Sequence, residues 1–140
     1  MVMSGAYVSK LRGRALNMLR MAESTDDYDL AMFLIDQAIQ LYVKAVYFEL
    51  LGSRIRGHGI RELIGMLAKG LESQGFNELA HELRSFVVNN RDALIMLEEA
   101  YTEGRYGEIS YDINDVSNAL TTAKELIKLL DMVVSSVKLG

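Results

Sequence analysis

The sequence predicts an all-α protein, an up-and-down bundle of about five helices, and three observations carry that prediction. The chain contains no proline, the residue that breaks a helix most strongly because it lacks an N–H and its ring clashes with the preceding turn. Apolar side chains recur at spacings of three and four along most of its length, the period that lines one face of a helix. Glycine-bearing interruptions fall between those periodic stretches, where connections belong. No linker, low-complexity tract or internal repeat divides the chain, so residues 1–140 form a single domain.

The first segment, about Tyr7 to Glu23, places Val8, Leu11, Ala15, Met18, Leu19 and Ala22 on one face. Its bases Lys10, Arg12, Arg14 and Arg20 fall mostly off that face, where Lys10 and Arg14 pair with acids of a neighbouring helix or draw phosphate groups. Thr25 or Asp26 caps the second helix, and Asp26, Asp27 and Asp29 put negative charge at its positive dipole end. That helix ends near Leu51 and carries two apolar stripes, Leu30, Phe33, Leu34, Leu41, Ala45 and Phe48, and Ala31, Ile35, Ile39, Tyr42 and Val46. A helix so apolar around its circumference is covered on several sides, which makes it the central helix and predicts a homodimer.

The stretch from Gly52 to Gly59 has three glycines and reads as a loop, followed by a short helix with Ile60, Leu63, Ile64 and Leu67 inward, ending near Gly70. A fourth helix begins near Asn77 and aligns Leu79, Leu83, Phe86, Asn90, Leu94, Leu97 and Tyr101. Asn89 and Asn90 bend or split it, since asparagine competes for backbone hydrogen bonds. Residues 104–111 form a second irregular connection, after which Ser110 or Asp112 caps a fifth helix. Its seam is Ile113, Val116, Leu120, Ala123, Ile127, Leu130, Val134 and Val137, the regular spacing of helices crossing at a shallow angle.

Composition removes whole classes of chemistry. Without cysteine there is neither a disulfide framework nor a thiolate metal site or nucleophile, and histidine chemistry is confined to His58 and His81. A net charge of -4 argues against general nucleic-acid coating, which leaves RNA as the weaker partner. Lys44, Glu49, Glu98, Glu99 and Lys128 interrupt the most apolar segments, and the first residues do not read as a secretory signal. The expectation is a soluble cytoplasmic protein without a membrane span.

Arg54, Arg56 and His58 give the glycine loop the physics of an anion site: permissive backbone, permanent charges, and a following helix whose free N–H groups point toward the loop. The competing reading is an exposed polar turn. Gly52 to Gly57 imitates the outer spacing of a phosphate-binding P-loop, but His58 and Gly59 stand where lysine and a hydroxyl are required. Lys44 either reaches a ligand or lays its stem along the core with its amine in water. Arg105 and Tyr106 could hold a phosphate and stack on a base, or cover the bundle end. Glu78 and His81 have the spacing of half a di-iron site, but only one copy exists and His81 lies nearly opposite the core face, so no metal is expected. Glu98, Glu99 and Glu103 read as a solvated acidic face, and Asn90 as a structural amide.

The run from Ala31 to Ala45, AMFLIDQAIQLYVKA, is similar to the HEPN-domain pattern A-x-F-x-x-x-Q-A-x-x-x-x-x-K-A, with Phe33, Gln37, Ala38, Lys44 and Ala45 at matching places. His58 followed by Arg61, Glu62 and Leu63 resembles the family's histidine opening a short helix, and Glu99 to Tyr106 resembles its alanine-bearing helix end followed by Arg-Tyr. The resemblance spans nearly the whole chain and implies a helical bundle of the nucleotidyltransferase-substrate-binding-subunit type that commonly dimerises. It implies one of several functions: a nucleotide-binding module, a companion of a minimal nucleotidyltransferase, or an RNA-cleaving toxin of a toxin-antitoxin pair. The ribonuclease branch carries an arginine, four to six residues, then a histidine. Arg54 and Arg56 lie too close to His58, and no arginine stands at that distance before His81. The reading is therefore a non-catalytic module without catalytic residues or cofactor, binding a nucleotide or similar phosphate through Arg54, Arg56, His58, Arg105, Tyr106 and Lys44. A divergent ribonuclease and a purely structural protein-recruiting dimer are the alternatives.

Overall fold

The computed structural model describes residues 2–102 and 109–140, with six helices among them: α1 (Val2–Ser24), α2 (Tyr28–Leu51), α3 (Ile60–Ser73), α4 (Asn77–Asn89), α5 (Arg91–Thr102) and α6 (Ile113–Leu139). The sixth arises because the fourth expected helix is divided. Asn90 folds its side-chain Nδ2 back onto the Phe86 carbonyl, which also accepts the Asn90 backbone N–H. The amide thus ends α4, and α5 starts one residue later.

α2 is the hub, with α1, α3, α5 and α6 packed on it. Its centre is closed by Met32, Ile35, Ile39 and Val43, all essentially inaccessible, against Leu63, Leu67, Leu97 and Leu126. α2 and α6 run in the same direction. Asp29, at the start of α2, accepts the Tyr111 N–H just before α6, and Glu49, near the end of α2, pairs with Lys138 at the end of α6. By length and composition α2 could cross a membrane despite Lys44 and Glu49, but most of it is buried by the surrounding helices, as the core helix of a bundle is.

Helix ends differ in detail from the sequence expectation. The cap of α2 is Asp27, whose carboxylate accepts the Leu30 N–H; Thr25 instead accepts the Asp27 N–H. α1 begins at Val2 and α3 continues to Ser73. Gly52 ends α2 at φ 80°, a left-handed conformation that glycine adopts without strain, and its N–H closes on the Phe48 carbonyl. α3 crosses the end of α2 so closely that a Cβ at Gly70 would lie 2.3 Å from a Leu51 methyl carbon.

The α6 seam also shifts. Ile113 is 57% exposed, whereas Ala119, Thr122, Leu126 and Val133 join Val116, Ala123, Leu130 and Val134 in the buried face. Leu120, Ile127 and Val137 lie at its margin. The helix touches α2, α4 and α5 together, so its buried face is wider than a two-helix seam. Likewise Leu30, expected inward, stays 44% exposed at the start of α2. Asp112 caps α6 in a reciprocal capping box with Asp115. Asp112→Ala is expected to cost about 1 kcal/mol of unfolding free energy in urea titration, the usual worth of such a cap.

Candidate functional site

The loop from Gly52 to Gly59 divides its charged side chains between two sides of the bundle. The Arg54 guanidinium lies 4.3 Å from the centroid of the Tyr7 ring on α1, and Tyr7 in turn meets Phe48 edge-on at 4.8 Å. Arg54 is thus drawn toward α1 by a cation–π contact. His58 turns the other way and stacks on Tyr101 of α5, with centroids 5.1 Å apart and planes 13° from parallel. Phe33 of α2 lies beyond, at 6.1 Å from Tyr101 and again 13° from parallel. Three aromatic rings from the loop, α5 and α2 are therefore layered at the loop's edge. Arg56, between the two arginine and histidine positions, is exposed, while Lys44 is half-buried on α2. Arg105 and Tyr106 lie outside the described residues.

Beneath this stack, α5 supplies an anion to the start of α3. The Glu98 carboxylate accepts the Arg61 backbone N–H at 3.1 Å and takes both Arg61 Nε at 2.9 Å and Nη2 at 3.1 Å. A helix start attracts negative charge, and here the protein's own glutamate provides it. The sequence reading left the N–H groups of this helix free for a ligand and Glu98 in solvent; the fold joins the two instead. Phosphate recognition by the loop consequently falls to side chains, chiefly Arg56 and His58.

Asp36 is the second residue that sequence reasoning passed over. It is completely buried on α2, one oxygen accepting from Gln40 Nε2 at 2.6 Å while Oδ1 has no partner of good hydrogen-bond geometry among the described residues. Burial pushes its carboxyl up to about 7; the Gln40 hydrogen bond opposes the rise and the nearby Glu98 charge adds to it. An acid three residues from Phe33 and four from Met32, inside a helix apolar on several sides, is the signal that marks it in the sequence.

The basic flank of α1 is partly structural. Arg12 pairs with Glu49 at 2.9 Å and leans over the Tyr42 ring, while Glu49 also receives Lys138 from α6. The Tyr42 hydroxyl donates to Asp131 at 2.5 Å, and burial followed by that carboxylate pushes its phenol up to about 12. Lys10 and Arg14, for which pairing was one expectation, are exposed. His81 is also exposed, in contact with Ser85, and among the described residues no group of three or more His, Asp or Glu side chains is placed to hold a metal.

Fold and site together define an all-α bundle whose central helix, histidine-bearing loop and α5 aromatic meet at one end. The sequence model of the HEPN domain matches residues 9–133, and the chain belongs to the HEPN domain family. No curated protein and no solved structure matches it.

Proposed function

We propose that this HEPN domain is a non-catalytic module that binds a nucleotide or similar phosphate ligand, acts as a homodimer and serves a minimal nucleotidyltransferase as its partner. The observation that carries the reading is the layered His58, Tyr101 and Phe33 beside the exposed Arg56. Every nucleobase has a π-face that stacks on aromatic rings, and an exposed guanidinium supplies fork-shaped donors to phosphate. His58, held against Tyr101, has no arginine at the spacing of the ribonuclease branch to share proton transfer. Exposed Leu16 and Met21 on α1, with Leu30 on the adjoining helix, supply apolar surface that a second copy would cover.

Calorimetric titration with ATP, GTP and their diphosphates tests the reading. Binding is expected in the wild type and weakened about tenfold or more in Arg56→Ala and His58→Ala, the order of one lost charged contact or one stacked base. Sedimentation of the same samples is expected to give the mass of a dimer. No heat with any nucleotide overturns the ligand assignment. Metal-independent RNA cleavage that disappears in His58→Ala would instead establish the divergent ribonuclease.

A further inference from the structure

A second concavity, sharing no residue with the loop site, opens where α4 gives way to α5 against the first half of α6. It encloses about 640 Å³, within the range of small-molecule sites. Its depth is apolar and adaptable: Met32 of α2 is fully buried there and Met96 of α5 half-buried. Its rim is acidic. Asp92 of α5 and Glu125 of α6 are exposed and in no ion pair among the described residues, while Asp115 is engaged in the α6 capping box; Arg91 is the one cation lining the cleft among the described residues.

An acidic rim alone would be an ordinary solvated surface. The independent observation is Thr122. It lines the cleft with only 6% of its surface exposed, and its hydroxyl has no hydrogen-bond partner among the described residues. The adjacent Thr121, by contrast, donates to the Ser117 carbonyl one turn back. A nearly buried hydroxyl that forgoes its own helix and borders a cavity is a group whose partner comes from the cavity.

We infer that this cleft binds an aliphatic diamine or polyamine. The methylene chain lies over Met96 and Met32, one ammonium group sits between Asp92 and Glu125, and the Thr122 hydroxyl accepts an N–H from the other. The carboxylates outnumber the single guanidinium, so the cleft repels phosphate and is complementary to an organic cation. The ligand class is thus opposite in charge to that proposed for the loop, and the two sites are separable by experiment.

The test is a titration of protein labelled with ¹³C at its methionine methyl groups, using putrescine, spermidine and, as a neutral chain of the same length, butane-1,4-diol. Saturable shifts of the Met32 and Met96 signals are expected with both amines and not with the diol. Asp92→Asn combined with Glu125→Gln should weaken binding about tenfold, as befits two solvent-exposed charges, and Thr122→Val should weaken it further. Glu78→Gln combined with Glu82→Gln, removing two exposed acids of α4 outside the cleft, should change nothing. The remaining methionine signals report whether each variant is folded. Absence of a saturable shift up to millimolar amine overturns the inference. So does an equal response to the diol, or equal weakening by the two pairs of acidic substitutions.

Discussion

The free energy of unfolding is expected to fall between about pH 5 and pH 8 through one buried side chain, and Asp36→Asn to abolish that contribution. Asp36 is inaccessible to solvent and its carboxyl titrates at about 7, against 3.8 for an unfolded aspartate. Between those values the folded chain holds a proton that the unfolded chain has released, so stability declines as pH rises. The contribution is complete below about pH 4 and lost as pH passes through about 7. Above that, the folded state must carry a buried anion beside Gln40 and within reach of Glu98, at a cost on the order of a few kcal/mol. Asparagine keeps the size and the oxygen that accepts from Gln40, but cannot ionise. Urea titrations at pH 5, 6.5 and 8 check this. Wild type and Asp36→Asn should nearly coincide at pH 5, with the variant about 1–4 kcal/mol more stable at pH 8. Parallel curves would mean that Asp36 is solvated or paired as an anion in solution.

The features legible in the sequence are those fixed by near neighbours. The apolar period along residues 28–51 identifies the central helix, Gly52 its end, and Asn90 the break in the helix that follows. Each depends on contacts within about one helical turn. The site was less legible because its partners come from afar. Arg54 and His58 stand four residues apart in one loop, yet Tyr7 draws one to α1 and Tyr101 the other to α5. Glu98 looks like any acid on an amphipathic helix until the fold sets it against Arg61, 37 residues earlier. Ile113 shows the opposite limit: it continues an apolar period faultlessly and still faces solvent, because it precedes the region where α6 meets its neighbours. Periodicity identifies the helix and its approximate face; which end of that face is covered depends on the lengths and crossing of other elements.

Glu98→Ala is expected to destabilise the domain by about 2 kcal/mol. The carboxylate both caps the start of α3 through the Arg61 N–H and grips the guanidinium at Nε and Nη2. Charge-assisted contacts of this kind are the stronger class of hydrogen bond, but the Arg61 side chain is 35% exposed, so water recovers part of the loss. Arg61→Ala should cost less, because the Arg61 backbone N–H keeps its bond to Glu98. A double-mutant cycle between the two therefore separates pairing from capping: a coupling near 1 kcal/mol with a remaining cost specific to Glu98 is the expected result. Additive single effects would mean that the side chains do not pair in solution. The same substitution bears on Asp36, whose carboxyl is pushed up in part by the Glu98 charge. In Glu98→Ala its titration should move modestly downward while burial holds it well above 3.8, so the pH-dependent loss of stability shrinks without vanishing. A complete loss of that dependence would assign it to repulsion between the two acids, whereas its persistence assigns it to the apolar packing of α2 around Asp36.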